Sequence, residues 1–432
     1  MFVSENLSVL ENGHLAIGGV DTVELAERFG TPLYVFDEEM IRAHCAMYKR
    51  SIDRFYGGRG LVCYASKAFS CKEIYRIAKD EGIGVDVVSL GELATAMSVD
   101  FPAEAICLHG NNKSAEELRA ALEYGVGRIV VDNFDELHLL DRLAEEAGCK
   151  ASILLRVKPG IDAHTHSFIR TGQIDSKFGF ALETGEALDA AKKAVSCPHL
   201  ELRGLHCHIG SQIFDIAPFA LAAERLLCLF AEVKKETGVL LEDLNLGGGF
   251  GIKYTQEDQP IPYELYMETV AQTIHATCEQ LGLPMPFILM EPGRSIVGPA
   301  GITLYRVGNV KTIPGIRTYV AVDGGMTDNP RYALYQSKYD IEVANRAGEP
   351  KDARITLAGR CCESGDLLGE HMPVQPVQPG DILAVLATGA YNYAMASHYN
   401  RVPNPAAVMV RDGEARVIIR RETPDDLMRF DV

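Results

Sequence analysis

The sequence predicts an α/β protein in which a (β/α)8 barrel of the TIM type is followed by a C-terminal antiparallel β domain. Three observations support this prediction. The chain has 432 residues, more than one barrel requires. Apolar, β-branched runs alternate with stretches of helical spacing eight times between about residues 36 and 290, which is the count and the ~250-residue size of such a barrel. After about residue 295 the hydrophobic period changes to two.

The predicted barrel strands are short runs of apolar, β-branched residues, which is typical of buried strands. They occupy residues 61–65, 83–88, 105–108, 128–131, 152–157, 203–208, 243–246 and 287–290. The intervening helices are predicted at residues 71–81, 91–98, 115–123, 135–147, 183–194, 218–237 and 263–281. An open, doubly wound sheet is the alternative. No GxGxxG follows the first strand, however, and this weakens a dinucleotide-binding interpretation.

The β domain is predicted from runs that alternate between apolar and polar side chains, as half-buried strands do. Such runs cover residues 302–307, 317–322, 354–357 and 381–387. Asp412 and Gly413 stand between two further alternating runs, which is a strong hairpin signal. We therefore expect residues 36–290 to form the barrel, and residues 1–35 with 291–432 to form the β domain.

Composition restricts the partners and the compartment. The formal net charge is −17, and an acid excess spread over the chain argues against nucleic acid and anionic membranes as partners. The first twenty residues lack a basic start and an uninterrupted apolar core, so we expect no signal peptide. Eleven scattered cysteines without a CxxC pair indicate reduced thiols in a cytoplasm.

A TIM barrel collects its functional groups at the C-terminal ends of its strands. The ends of the predicted strands carry polar residues in an ordered set. They are Lys67, Asp86, His109, Asp132, Arg156, His206 with His208, glycines 247–249, and Glu291 with Arg294. Strands end in loops, so some polar residues are expected there in any case. The sequence of cation, carboxylate, imidazole, glycine run and carboxylate–arginine pair nevertheless favours one site.

Two of these features have plain structural alternatives. Lys67 follows a buried strand, and a loop lysine is most often simply solvated. At a barrel mouth, however, its amine is a candidate nucleophile for Schiff-base chemistry. The run from Gly247 to Gly251 contains four glycines in five positions. It is either a flexible turn or a segment whose N–H groups approach a phosphate closely.

The histidines and the EPGR segment also allow more than one interpretation. His206 and His208 point to one face of a strand and suggest a zinc pair, but no complementary ligand set with metal spacing follows them. Packed histidines and an aromatic cofactor contact are the other possibilities. Glu291 and Arg294 are either an ordinary turn with a salt bridge or a partner for a ring nitrogen and a holder for an anion.

The β domain contributes three further candidates. Arg331 is followed at helical spacing by Tyr335. Residues 361–366 read CCESGD, a polar, glycine-containing loop in which a vicinal cysteine pair is flanked by acids. Tyr391 follows Gly389 and Ala390. Polar loops of this kind are where binding groups concentrate, although a vicinal cysteine pair is usually inert packing.

Six motifs together resemble the fold-type III pyridoxal-phosphate decarboxylases. They are YASKAF, HCHIGSQ, LNLGGGFG, EPGRSIVG, CCESGD and ATGAYNYAMAS, in this order and over nearly the whole chain. The resemblance implies an α/β barrel with a C-terminal β domain, pyridoxal 5′-phosphate as cofactor, and a homodimer whose active sites are shared between subunits.

The resemblance also implies roles for individual residues around the cofactor. Lys67 would hold it covalently, His208 rather than His206 would stack on its ring, and Glu291 would pair with the ring nitrogen. The remaining cofactor-binding residues implied are Asp86, Ser211, Gly248, Gly249, Gly293, Arg294 and Tyr391.

For the substrate, the resemblance implies that Arg294, Arg331 and Tyr335 hold carboxylate groups. Cys362 as proton donor, Glu363 and Tyr391 would enter across the dimer interface. Glu363, facing a distal amino group, favours meso-2,6-diaminopimelate as substrate, with L-lysine and CO2 as products. Ornithine, lysine and carboxynorspermidine are the alternatives.

Two other function classes are weighed against the decarboxylase. A metal-dependent barrel hydrolase would use His206 and His208. A catalytically silent cofactor-binding paralogue is disfavoured because Lys67, Cys362 and Glu363 are all present. One departure from the family pattern is His398, in MASHYN, where many relatives have Asn.

Overall fold

The computed structural model describes residues 2–161 and 175–432. They divide into two compact units. The β unit comprises the residues up to Ala43, Ile252–Gln259 and Arg294–Val432, and the barrel unit comprises His44–Gly251 and Pro260–Gly293.

The chain begins in the β unit with a small antiparallel sheet. Its strands are β1 (Leu7–Val9), β2 (Leu15–Ile17) and β3 (Val20–Asp21). Helix α1 (Thr22–Phe29) and strand β4 (Leu33–Asp37) follow. Asp21 starts α1 because its carboxylate accepts the N–H groups of Val23 and Glu24. Helix α2 (Glu38–Tyr56) then carries the chain into the barrel unit.

The barrel unit contains a closed parallel barrel of eight strands, and this confirms the predicted fold class. Its strands are β5 (Gly60–Ala65), β6 (Gly84–Val87), β7 (Ile106–Leu108), β8 (Arg128–Val131), β9 (Ala151–Lys158), β11 (Leu200–His206), β12 (Asp243–Asn245) and β13 (Phe287–Met290), with β10 (Phe180–Ala181) added beside β9. Closure comes from parallel pairing of β13 with β5, where Met290 lies opposite Val62. Each predicted strand overlaps an observed one.

The barrel helices are α3 (Lys72–Asp80), α4 (Leu90–Met97), α5 (Ala115–Tyr124), α6 (Phe134–Ala147), α7 (Glu186–Ser196), α8 (Ala217–Thr237) and α9 (Tyr263–Leu281). Local sequence sets their ends. Ser114 and Glu117 form a capping box at the start of α5, a feature that stabilises a helix by about 1 kcal/mol. Gly125 ends α5 and Gly148 ends α6, both in the left-handed conformation that glycine adopts without strain.

The larger sheet of the β unit combines β4 with the C-terminal strands. These are β14 (Gly301–Ile313), β15 (Arg317–Val322), β16 (Ile341–Val343), β17 (Ala353–Ala358), β18 (Leu367–Val374), β19 (Ile382–Val385), β20 (Ala406–Arg411) and β21 (Glu414–Ile419). The short helices are α10 (Arg294–Val297), α11 (Arg331–Tyr335) and α12 (Pro424–Met428). Most pairs are antiparallel, but β15 pairs with β17, and β4 with β20, in parallel.

The hairpin predicted at Asp412 and Gly413 is confirmed, since Arg411 on β20 lies opposite Glu414 on β21. Both turn residues have positive φ, at 52° and 78°, as a tight two-residue hairpin requires. None of the helices in the described part of the chain is both long and apolar enough to cross a membrane.

Candidate active site

A buried carboxylate, Glu291, stands at the end of β13 and is surrounded by donors from three other strand ends. His109 Nε2 lies 2.8 Å from its Oε1. His206 Nε2 lies 3.2 Å from its Oε2. Asn245 donates from Nδ2 to Oε1 at 2.6 Å. The strands β7, β11, β12 and β13 run parallel, so their C-terminal ends meet at one rim and bring these side chains together.

Burial and charge divide the protons unequally within this cluster. Burial alone would raise the pKa of Glu291, but the two imidazoles lower it well below its ordinary value. Burial would lower the pKa of His109, yet the charges of Asp86 and Glu291 raise it overall. For His206 burial prevails and lowers the pKa to about 4. The cluster therefore favours the ionised form of Glu291 and the neutral form of His206, and it makes His109 hold its proton more tightly than it would in water.

Two further charged residues line the same rim. Asp86 on β6 is buried, with Oδ1 3.8 Å from His109 Nε2. Arg156 on β9 stacks its guanidinium 4.1 Å above the ring of Phe178, with Nε 3.9 Å from Asp132 Oδ1. The Arg156 guanidinium thus interacts with the charges of Asp132, Glu291 and Asp86.

Lys67 lies in a short 3-10 turn (Ser66–Ala68) directly after β5. Ser66 and Ala68 are buried, whereas Lys67 is exposed. Burial raises the pKa of Asp86, and the charges of His109 and Lys67 partly oppose that rise. The lysine amine therefore stands near Asp86 and remains accessible to a ligand.

The glycine run has a defined and crowded conformation rather than that of a flexible turn. A Cβ at Gly248 would lie 2.1 Å from the carbonyl oxygen of Glu291, and one at Gly249 would lie 2.5 Å from that of Gly210. A Cβ at Gly293 would lie 2.9 Å from the Cβ of Ala65. No side chain can enter these positions unless the backbone shifts.

His208 and the loop after it lie against this run. A Cβ at Gly247 would lie 3.0 Å from His208 Nδ1. Burial, with the charges of Lys67 and Arg156, lowers the pKa of His208 well below its ordinary value. Ile213, two residues beyond Ser211, donates its N–H to the Gly249 carbonyl at 2.9 Å. The half-buried Ser211 is thereby fixed close to the glycine run.

These residues fit pyridoxal phosphate. Lys67 offers an amine, His208 an uncharged ring, and Glu291 an ionised carboxylate for a ring N–H. Among the residues that the structure describes, the Gly248 and Gly249 amides donate to no backbone carbonyl, which leaves both for a phosphate oxygen. Within the same part of the chain, Asp86 Oδ1 and His206 Nδ1 are buried without a hydrogen-bond partner, as expected where a polar ring binds.

The structure changes which side chains could share a metal ion. Over residues 2–161 and 175–432, the side chains close enough to share a metal ion are His109, His206 and Glu291, with ligand atoms within 4.8 Å of one another. His208 is not among them. The pair of histidines that the sequence suggested as metal ligands therefore does not act as a pair.

In the β unit, two arginines stand in a cluster of tyrosines. Arg294 donates to the hydroxyl of Tyr254 and lies 4.6 Å from the ring centre of Tyr391. Arg331 donates from Nε to the Tyr339 hydroxyl at 2.9 Å, and its guanidinium lies 5.4 Å from the ring centre of Tyr335. Four of the predicted residues, Arg294, Arg331, Tyr335 and Tyr391, are thus brought together.

Arg331 is buried, yet no carboxylate of the described residues lies within ion-pair distance of its guanidinium. Burial would lower its pKa, but the surrounding tyrosines raise it further above the ordinary value for arginine. A buried guanidinium held by hydroxyls and aromatic faces retains capacity for a bidentate anion.

The predicted interface residues lie on another loop of the β unit. Cys362 and Glu363 are both exposed. The Cys362 amide donates to Asn400 Oδ1 at 2.8 Å. His398, which departs from the family pattern, is exposed and lies within hydrogen-bond distance of a surface carboxylate, with Nε2 2.7 Å from Glu422 Oε2.

Comparison with known proteins identifies the family. A family model described as the pyridoxal-binding domain of pyridoxal-dependent decarboxylases matches residues 38–298. The chain belongs to this family. It is 50% identical over 432 residues to the diaminopimelate decarboxylase of Bacillus subtilis, covering 100% of this chain and 98% of the relative.

Solved structures agree with this assignment. The decarboxylase chain is similar to diaminopimelate decarboxylase from M. jannaschii in complex with L-lysine, with a TM-score of 0.90, 35% identity and coverage of 100% and 99% of the two chains. It is also similar to diaminopimelate decarboxylase from Helicobacter pylori complexed with L-lysine, with a TM-score of 0.86, 33% identity and coverage of 95% and 99%.

Several residues of the decarboxylase site were not singled out from the sequence. Asn245 ends β12 directly before the glycine run, so its position carried a signal. Tyr254 and Tyr339 carried none, because neither was marked by its position after a barrel strand and the two lie far apart along the chain. Only the fold brings the two tyrosine rings to 5.3 Å between centres.

Proposed function

We propose that this decarboxylase converts meso-2,6-diaminopimelate to L-lysine and CO2 with pyridoxal phosphate, as the last step of lysine biosynthesis. The observation that carries the proposal is Glu291, held ionised between His109, His206 and Asn245. A carboxylate in this state can keep a pyridine ring nitrogen protonated. The full-length similarity to diaminopimelate decarboxylases supports the choice of substrate.

When bound, pyridoxal phosphate supplies a sink for the electron pair that remains on the α-carbon after CO2 leaves. Three side chains at the barrel rim would hold the cofactor there. Lys67 would bind it covalently, His208 would stack on its ring and Glu291 would accept the ring N–H. Asp86 adds a second buried carboxylate near the Lys67 amine. Ser211, Gly248, Gly249 and Gly293, with Arg294 and Tyr391, complete its binding residues.

The substrate is bound by the arginine–tyrosine cluster. Arg331 and Arg294, assisted by Tyr335, hold carboxylate groups. Glu363 binds the distal ammonium, and Cys362 donates a proton to the α-carbon after decarboxylation. Both side chains are exposed in the single chain. This supports a homodimer in which Cys362 and Glu363 serve the active site of the second copy, whereas Tyr391, which lies over Arg294 of its own chain, serves that chain's site.

We propose a separate role for each of the two compact units. The barrel unit carries most of the proposed cofactor-binding residues, Glu291 and Gly293 included, and the β unit supplies substrate and interface groups. We also propose a cytoplasmic location without nucleic-acid partners. The net charge of −17 argues against nucleic-acid partners, and the eleven free cysteines support the location.

Spectroscopy and turnover test the reaction. The purified protein should show a visible absorbance that borohydride shifts, and it should release CO2 from meso-diaminopimelate. Lys67→Ala should abolish both, whereas Lys72→Ala, an exposed lysine at the start of α3, should change neither. A faster reaction with ornithine, lysine or carboxynorspermidine would show that diaminopimelate is not the substrate. Absence of the absorbance would show that pyridoxal phosphate is not the cofactor.

Mixing of variants tests the shared site. Lys67→Ala and Cys362→Ala protomers are each expected to be inactive. After subunit exchange, about a quarter of wild-type activity should return, because one site in four then contains both native residues. No recovery after confirmed exchange would place each active site within a single chain.

A further inference from the structure

The loop that carries Cys362 and Glu363 is anchored by a buried carboxylate, Asp366, which directly precedes β18. Residues 362–365 are exposed, yet Asp366 is 3% exposed. Its Oδ1 accepts the Met326 N–H at 2.6 Å. Its Oδ2 accepts the Cys361 N–H at 2.7 Å. The carboxylate thus joins the start of its own loop to a neighbouring turn.

The main chain of Asp366 closes the same loop. Its N–H donates to the Glu363 carbonyl at 3.1 Å, and its carbonyl accepts the Gly359 N–H at 2.9 Å. A Cβ at Gly359 would lie 2.2 Å from the carboxylate oxygens, and one at Gly325 would lie 2.5 Å from Oδ1. Only glycine at both positions lets the two segments approach the carboxylate this closely.

Stability alone is a poor reason for this arrangement. Within residues 2–161 and 175–432, no cationic side chain lies within ion-pair distance of Asp366. Burial of a carboxylate without a cation is costly, and the charge-assisted bonds from two amides offset only part of that cost. What the arrangement achieves is a fixed backbone beneath two exposed side chains.

We propose that Asp366 is a positioning residue for catalysis, which sets the backbone from which Cys362 and Glu363 reach the substrate. This proposal rests on the proposed function for the roles of those two side chains. Asn400 is the second brace, because its Oδ1 accepts the Cys362 N–H. A loop held at both 361 and 362 presents the thiol in one place, and a displacement of about 1 Å at a reacting group can cost about a hundredfold in rate.

Asp366→Asn and Asp366→Ala test the carboxylate. Asparagine keeps the shape but turns an N–H donor towards one of the two amides, and alanine removes both acceptors. In both variants kcat should fall about tenfold or more, while the visible absorbance of the bound cofactor stays unchanged. Asp381→Asn is the matched control, since Asp381 is also buried, also precedes a strand, and accepts the Gln378 N–H at 2.8 Å. It should leave kcat unchanged.

Thiol reactivity supplies a readout that does not depend on turnover. In the intact holoenzyme, the iodoacetamide rate of Cys362 is measured by peptide mass spectrometry relative to the exposed Cys228 on α8. Loss of the Asp366 carboxylate should raise this ratio about threefold or more. The ratio should stay at the wild-type value in Asp381→Asn. If both Asp366 variants leave the ratio unchanged, the positioning role is wrong, whether or not the protein decarboxylates diaminopimelate.

Asn400 gives a second test with milder variants. Asn400 has φ of 52°, a conformation that glycine tolerates. Asn400→Gly removes the acceptor of the Cys362 N–H without backbone strain, and Asn400→Asp keeps an acceptor oxygen. We expect the glycine variant to lower kcat and raise the Cys362 ratio, and the aspartate variant to retain wild-type values. Equal behaviour of the two would overturn the second brace.

Discussion

The polar rim of the barrel unit and the arginine–tyrosine cluster of the β unit bury charge in opposite ways. In the rim, Glu291 has two imidazoles and an amide as partners. In the cluster, Arg331 is buried among hydroxyls and rings, and no described carboxylate pairs with it. The rim carboxylate therefore has partners of its own within the protein, whereas the Arg331 guanidinium has no carboxylate partner among the described residues.

This difference indicates two kinds of ligand. A balanced network holds its charges in place at all times, which suits a resident ring whose nitrogen must stay protonated. A buried guanidinium without an anion is held at a cost in free energy, and that cost falls when a carboxylate binds. The carboxylate of the proposed substrate would therefore gain binding energy in the β-unit cluster.

Glu291→Gln breaks the rim most severely. The substitution keeps the shape and removes the charge that faces His109 and that would face the ring nitrogen of the proposed cofactor. We expect kcat to fall by about a thousandfold, the upper range for loss of one preorganised electrostatic partner. Steady-state kinetics measures this. Asp243→Asn, at the opposite end of the barrel beside Arg128, should lower Tm and leave kcat within a few-fold. Retention of activity by Glu291→Gln would show that the rim is structural.

Asp328 extends the comparison to a buried acid in the β unit. Burial raises its pKa to about 7, although the Tyr305 hydroxyl and the Gly325 N–H oppose the shift. The folded chain keeps this proton up to about pH 7, while the unfolded chain loses it near pH 4. Stability from this group is therefore full below pH 4 and falls, by up to about 4 kcal/mol, as the pH rises to 7.

Asp328→Asn should remove that pH dependence. Urea denaturation at pH 4.5, 6 and 7.5 would then give midpoints that vary less in the variant than in the wild type. An unchanged slope would mean that another group titrates over this range. Glu92 is the other position to test, because burial raises its pKa to about 7 as well and it titrates over the same range.

Arg331→Met sharpens the contrast between the regions. Loss of the carboxylate partner should raise KM for diaminopimelate about a hundredfold, as expected when a charged hydrogen-bonded contact is removed. The unfolding midpoint should stay the same or rise, because a buried guanidinium without an anion is replaced by an apolar side chain. A large loss of stability would show that Arg331 supports the fold instead.

Tyr339→Phe should have the smallest effect. It removes the hydroxyl that accepts from Arg331 Nε and leaves the ring packed against Tyr254. We expect KM to rise about tenfold with little change in kcat, which corresponds to one net hydrogen bond of about 1.4 kcal/mol. Tyr332→Phe, on the same short helix as Arg331 but bonded to Glu370, is the matched control.

Most of the barrel could be predicted from the sequence, because a buried parallel strand reads as a continuous apolar run. The parallel pairs of β15 with β17 and of β4 with β20 could not, because alternation shows that a strand has two faces and does not name its neighbour. Among the candidate residues, Glu291 and the glycine run could be predicted because each directly follows a predicted strand. The participation of His109 and Asn245 depended on which strand ends converge.

The sequence by itself determined the barrel strands, the helix ends set by Ser114, Gly125 and Gly148, and the chemical types available at each strand end. These are local properties of spacing and side-chain identity. The tertiary structure alone decided which partners share a proton or a charge. It placed two imidazoles on Glu291 and two distant tyrosines around Arg331. The reason is that electrostatic coupling depends on a few ångströms of separation inside a low-dielectric interior, and only closure of the chain sets those distances.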